Sequence, residues 1–256
     1  MSISPLAARI AQARRTRMPF AFEPALAAPD MAAAYRVQAQ VAQELGAKIA
    51  GWKVGFAPLP ASSSILSPTP WAAPIFDCDM RESGGAHVLA PGYPVKIEAE
   101  LGVRFGRDLP VRAEPYTRDD ILDSISDAFV GVELIVSRFA NVADADFISK
   151  LADSFSNGAY AIGAVTGAFR GLDLSRLRCR LAVDGTVYND RQGGHSDGDP
   201  LIPLVAWANA QADQLGGLRA GQFLTLGTLN EPVPMDRAAL IEASLEGIGE
   251  ASLRLV

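Results

Sequence analysis

The segment Val130-Gly131-Val132-Glu133-Leu134-Ile135-Val136 constrains this chain more than any other. It reads as an apolar strand buried on both faces, interrupted only by Gly131 and Glu133. A lone ionised carboxylate in such a run costs several kcal/mol. Glu133 must therefore be protonated, paired or bound to metal.

A second strand supplies what Glu133 needs. From Val95 to Val103, the apolar Ile97, Ala99, Leu101 and Val103 alternate with Glu98, Glu100 and Gly102. Residues two apart in a strand share a face, so Glu98 and Glu100 lie side by side. Alone, that pair fits two solvated acids on a half-exposed strand. With Glu133 beside it, three carboxylates repel one another, by about 4 kcal/mol for charges about 4 Å apart at an effective dielectric of about 20. A divalent cation removes that repulsion, and all-oxygen ligation favours Mg²⁺, Mn²⁺ or Ca²⁺ over zinc.

Lys53 is the candidate for proton transfer. It is one of four lysines and sits in Gly51-Trp52-Lys53-Val54-Gly55, where an aromatic and two glycines imply a tight, partly buried backbone. Burial and a nearby cation lower a lysine pKa toward the working pH. A surface lysine flanking a turn fits the same five residues.

The remaining pattern mixes helices and strands without regular alternation, which predicts an α+β fold. Helices are expected from Asp30, as N-cap, to Lys48, from Thr117 toward Phe129 behind a capping box, and from Pro203 to Leu215 before Gly216-Gly217. Strands are expected at Tyr160–Val165, Arg178–Val183, Gln222–Leu226 and Ser252–Val256. The Pro/Gly-rich stretch Ser67–Gly92 reads as loops and short strands. With 256 residues, 49% of them hydrophobic, the chain fits one structural unit. Residues 1–75 are expected as a helical segment packed on a catalytic core of residues 76–256.

Several classes are disfavoured. A net charge of -6 argues against tracking a nucleic-acid backbone. Cys78 and Cys179 imply no disulfide framework, and no apolar run suits a signal peptide or membrane span, so the expected compartment is the cytoplasm. His87 and His195 are far apart in glycine-flanked loops and read as surface or loop residues. Neither a Gly-x-Ser-x-Gly elbow nor a phosphate-binding glycine loop is present, so no nucleotide cofactor is expected.

The motifs also carry a family likeness. Ala34-Tyr35-Arg36-Val37-Gln38, Gly51-Trp52-Lys53-Val54-Gly55, Ile97-Glu98-Ala99-Glu100 and Arg107-Asp108-Leu109-Pro110 run in sequence. Glu133 with Ser137-Arg138, Ala152-Asp153 with Ser156 and Gly158, Leu218-Arg219-Ala220-Gly221 and Glu246-Gly247-Ile248-Gly249 follow. In this order they resemble the fumarylacetoacetate hydrolase superfamily, in its branch of 2-keto-4-pentenoate hydratases and 4-oxalocrotonate decarboxylases. The resemblance spans most of the chain from about Ala34 onward.

That resemblance implies a mixed, rolled β-core with flanking helices, assembled as homo-oligomers. By motif position it makes Glu98, Glu100 and Glu133 ligands of Mg²⁺ or Mn²⁺ and Lys53 the active-site lysine. It places Trp71, Ser137, Asp153, Ser156 and Thr228 around a small 2-keto or 2-hydroxydienoic acid. It implies a lyase of aromatic catabolism: a hydratase first, a decarboxylase of a 2-keto diacid second, a divergent metal-binding homologue third. The chain departs from the hydratase pattern at Trp71, where an acidic residue is usual, at Ser154 and Phe155, and at Leu226. These changes predict an altered substrate pocket.

Overall fold

The computed structural model describes residues 3–57, 69–90, 93, 95–211 and 216–256. Two helices open the chain, α1 (Pro5–Thr16) and α2 (Met31–Leu45). Asp30 caps α2 by accepting from the Ala33 N–H, and Gly46 closes it with a left-handed φ of 62°. Then come strands β1 (Ile49–Phe56), β2 (Pro70–Phe76), β3 (Met80–Glu82), β4 (Ala86–His87) and β5 (Val95–Phe105). Helix α3 (Arg118–Ser124), β6 (Ile125–Ile135), α4 (Phe147–Ala152), β7 (Asn157–Ile162), β8 (Arg178–Val183) and β9 (Thr186–Gln192) follow. The chain ends with α5 (Leu201–Ala210), β10 (Phe223–Thr228), β11 (Val233–Met235), β12 (Ala239–Leu245) and β13 (Gly249–Leu255).

The strands form two mixed sheets. The larger runs β2-β1-β10-β5-β6-β7-β3, with β11 also paired to β5, and the smaller runs β4-β13-β12-β8-β9. The predicted α+β class holds, with the large sheet curled. Strand parity sorts β5 and β6 into two faces. Ile97, Ala99, Leu101 and Val103 join Val130, Val132 and Leu134 in the main core, against Leu181, Ile241 and Leu253 of the smaller sheet. Glu98, Glu100 and Glu133 are left on the opposite, concave face. There Gly131 must be glycine, because a Cβ would lie 1.9 Å from the Tyr160 hydroxyl. A second core beside this face gathers α1, α2 and α4 around Ala73, Phe76 and Phe139.

Several boundaries move. The helix expected from Thr117 forms its capping box but ends at Ser124. Ile125 and Ala128 pair instead with Phe105 and Val103 of β5, and this long-range pairing outweighs local helical preference. The tight segment around Lys53, and Trp71 in the stretch read as loops and short strands, belong to the paired strands β1 and β2. The expected boundary at residue 75 falls inside β2 (Pro70–Phe76), which with β1 runs within the large sheet. Helix α5 starts two residues early, at Leu201. Its expected end at Leu215 lies outside the described residues, as do Ser67 and Gly92.

Candidate metal centre

Pairing of β5 and β6 builds the acid cluster. Glu98 stands directly opposite Glu133, and Glu100 opposite Gly131. Residue Glu133 is fully buried and Glu100 2% exposed. With one oxygen offered by each acid, the three ligand atoms lie within 4.8 Å of one another.

Each acid is held differently. Lys53 Nζ donates to Glu133 Oε1 at 2.7 Å, and Asn157 Nδ2 donates to the same oxygen at 2.9 Å. Thr225 Oγ1 donates to Glu100 Oε2 at 2.5 Å. Glu133 Oε2 is buried with no hydrogen-bond partner. Burial, and then the Glu133 charge, push the Glu98 carboxyl up to about 7. The same two causes, with Glu98, raise Glu100 well above the carboxylate range.

This arrangement fits a hard divalent cation. Three convergent carboxylate oxygens, one orphaned in the interior, match all-oxygen ligation at about 2.0–2.6 Å. One lysine cannot neutralise three acids, and without a cation the buried cluster binds protons instead.

Lys53 departs from expectation in one respect. It is buried, 8% exposed, so the surface-lysine alternative fails. Its pKa, however, is raised rather than lowered. Burial is the largest influence and acts downward, but the carboxylates of Glu133, Glu98 and Glu100 together outweigh it. A cation bound among those acids would cancel much of their upward pull.

Beside the acids lies a cavity of about 580 Å³ lined by Lys53, Glu98, Glu100, Trp71, Phe155 and Thr228, among others. Trp71 packs on Phe155 with ring centroids 4.2 Å apart, so two of the four departures from the hydratase pattern form one apolar wall. Phe155 is held there by an unusual backbone: Ser154, Phe155 and Ser156 have φ of 51°, 46° and 65°. Left-handed backbone costs roughly 1–2 kcal/mol per non-glycine residue, so this turn is strained where it meets the cavity.

Three expected substrate residues sit outside the cavity lining. Asp153 is 1% exposed and accepts from Arg138 Nε at 2.5 Å. Ser137 Oγ donates to the Phe139 carbonyl and accepts from the Phe139 N–H. Ser156 is buried, its carbonyl accepting from the Val136 N–H. Asp153 borders the turn that carries Phe155 and Ser156 belongs to it, the Asp153 carbonyl accepting from the Ser156 N–H. Thr228 does line the cavity, its hydroxyl donating to the Asn230 carbonyl at 2.9 Å.

Sequence reasoning missed Asn157, Thr225, Arg191 and His195. Asn157 and Thr225 carry no local signal, since each is identified only by the acid it reaches across the sheet. His195 is in a loop, as expected, but not on the surface: its side chain is 4% exposed and lines the cavity. Nδ1 accepts from the Asp197 N–H at 3.1 Å, and Nε2 lies 2.5 Å from the Leu226 carbonyl. With Nδ1 accepting, the ring is the Nε2–H tautomer, and both nitrogens are committed to backbone. His195 thus fastens its loop to β10 and has no free nitrogen for proton transfer.

Comparison with known proteins gives the family. The fumarylacetoacetate (FAA) hydrolase C-terminal family model matches residues 64–256. The chain belongs to the fumarylacetoacetate hydrolase family. It is 29% identical over 228 residues to a 2-keto-4-pentenoate hydratase of Paraburkholderia xenovorans (strain LB400), covering 86% of this chain and 83% of that protein. It is 27% identical over 233 residues to a 4-oxalocrotonate decarboxylase of Pseudomonas putida, covering 89% and 87%. Among solved structures, it resembles 4-oxalocrotonate decarboxylase from Pseudomonas putida G7 complexed with magnesium and adipate, with a TM-score of 0.83, 25% identity and coverage of 99% and 97%. The calcium and acetate complex of that decarboxylase aligns with a TM-score of 0.81. No helix among the described residues is long and apolar enough to cross a membrane.

Proposed function

We propose that this chain is a divalent-metal-dependent lyase, a hydratase adding water to a 2-hydroxydienoate or its 2-keto tautomer in aromatic-compound catabolism. The observation that carries the reading is the triad of half-buried Glu98 with buried Glu100 and Glu133, opening beside a cavity large enough for a small keto acid. Hydratases and decarboxylases both stand among its relatives. Mg²⁺ or Mn²⁺ is the proposed ion, the cytoplasm the proposed compartment, and a homo-oligomer the proposed assembly. Both the N-terminal segment, residues 1–75, and the core, residues 76–256, would work as one structural unit.

When bound at the three glutamates, the cation supplies Lewis-acid polarisation of the substrate's carboxylate and C2 oxygen. The chain's own groups do the rest. Lys53 holds Glu133 Oε1, which leaves Oε2 turned to the cluster, and its ammonium is the mobile proton nearest the substrate's polar end. Asn157 fixes the same carboxylate from the other side. Thr225 orients Glu100. Trp71 and Phe155 present an apolar wall to the diene and narrow its path.

A specific observation supports the decarboxylase as second reading. Arg191 and Lys96 also line the cavity, Lys96 near enough to Glu98 to pull its pKa down, and two cations in one cavity suit a second substrate carboxylate. Turnover of a panel of 2-hydroxydienoates and 2-keto diacids, with and without chelator, tests both. Hydroxy-keto acid formation that stops with chelator supports the hydratase; CO₂ release supports the decarboxylase. No metal-dependent turnover of either class would defeat both. Lys53→Ala should cut kcat by about 10²–10⁴-fold, the usual span of an acid–base group. Wild-type kinetics in that variant would remove Lys53 from the chemistry.

A further inference from the structure

A second cavity, of about 290 Å³, opens on another part of the molecule and is independent of the proposed reaction. Five arginines line it (Arg14, Arg15, Arg17, Arg81 and Arg138) against a single carboxylate, Asp79. In a chain of net charge -6, so one-sided a cluster is a local reversal of the global sign.

Existing ion pairs do not use up this charge. Arg14 Nη1 donates to Asp79 at 2.7 Å, Arg15 pairs with Glu44 at 3.8 Å, and Arg138 is consumed by Asp153. Arg17 and Arg81 have no carboxylate partner among the described residues. Arg81 Nη1 donates only to the carbonyls of Cys78 and Met80, which fixes its guanidinium in place.

Unpartnered polar atoms are also left over. The Arg14 side chain is 7% exposed, yet its Nε is buried with no acceptor, as are the Tyr93 hydroxyl and His87 Nδ1. Burial, then the charges of Arg81 and Arg17, hold His87 down at about 4, so at neutral pH it adds a polar atom and no charge. Buried polar atoms without partners are costly and are normally satisfied by protein, water or ligand. Cationic and neutral donors converging without acceptors ask for an anion with several oxygens.

We propose that this cavity binds a small oxyanion, a carboxylate or phosphate group, held chiefly by Arg17 and Arg81, with Arg14 Nε and the Tyr93 hydroxyl as further donors. The Asn157 carbonyl accepts from both Arg14 and Arg138, which holds the two guanidiniums side by side at the cavity wall.

The test is calorimetric titration of the full chain, in the presence of Mg²⁺, with inorganic phosphate and separately with malonate. Saturable binding of one anion per chain is expected. Losing Arg17 and Arg81 together as alanines should weaken it about tenfold or more for each charge-assisted hydrogen bond removed. Arg17→Glu, a change at an exposed residue, should do the same without altering Tm. Glu98→Gln/Glu100→Gln, which disables the metal centre, should leave anion binding intact. Phosphate binding alone would assign a phosphoryl ligand and malonate binding alone an organic acid; either supports the site. A saturating anion should also slow alkylation of the exposed Cys78, which lines the cavity. No saturable binding, binding unchanged in the arginine variants, binding lost with the glutamates, or an unprotected Cys78 would each overturn the proposal.

Discussion

Two buried ionic clusters lie a few residues apart and are built in opposite ways. Around Arg138, all three guanidinium nitrogens donate. Nε and Nη2 donate to Asp153, Nη1 donates to the Asn157 carbonyl, and the Arg138 N–H donates to the second Asp153 oxygen. Around Glu133, three acids share one lysine, and Oε2 has no partner. A closed cluster holds structure, because each charge is already compensated. An open one with surplus charge of one sign stores a binding site. Asp153, which resemblance places around the substrate, belongs to the closed cluster, buried against Arg138.

The strongest way to break the comparison is to remove the open cluster's central acid. Glu133→Gln should abolish Mn²⁺ binding and turnover while the protein stays folded, since it also relieves repulsion among the acids. Manganese titration with a thermal melt in chelator checks this. Retained binding would sink the open-cluster reading, and a collapsed fold would make Glu133 structural.

The closed cluster should fail the other way. Arg138→Met leaves the Asp153 carboxylate buried and unpaired, which costs about 3–5 kcal/mol of stability. Urea unfolding measures it. A loss under about 1 kcal/mol would mean that Asp153 finds water or another partner, and that the cluster is less closed than its geometry shows.

A pH titration sharpens the difference. In the metal-free protein the Glu98 carboxyl stands at about 7 instead of 4.5. Folding therefore favours its protonated form. The resulting stability is fully present below about 4.5 and is lost as pH rises through about 7. Metal affinity should run in the opposite direction, climbing with pH across that window as the proton leaves. Thermal melts of chelated protein at pH 5 and 8 should show the lower midpoint at pH 8. Glu98→Gln should flatten this dependence. An unchanged slope in that variant would assign the titration to another group.

The smallest effect is expected at Ser137, which resemblance placed near substrate and whose hydroxyl only bridges the Phe139 backbone. Ser137→Ala should cost about 0.5–1.5 kcal/mol and leave KM unchanged. A raised KM would return Ser137 to the pocket.

Legibility followed the range of the interactions involved. Strand β5 was readable because its period of two is written in consecutive residues. Strand β12, buried at Ala239, Ile241, Ala243 and Leu245, carries the same signal and was overlooked. Strand β9 could not be read, because Thr186–Gln192 is an edge strand exposed at six of its seven positions. The apolar alternation that marks a strand is absent there. Helix α3 was overextended because its capping box marks a start and nothing local marks the stop.

The sequence by itself determined that Glu98 and Glu100 share a face, that Glu133 is buried, and that Asp30 and Thr117 begin helices. Each follows from dihedral geometry repeated over a few residues. Only the tertiary structure decided that Glu98 faces Glu133, that Lys53 and Asn157 meet on one carboxylate oxygen, and that Arg138 closes over Asp153. Those contacts join residues 15 to 80 positions apart. Strand order and register place them, and these are fixed by the burial of whole sheet faces rather than by any segment's own preference.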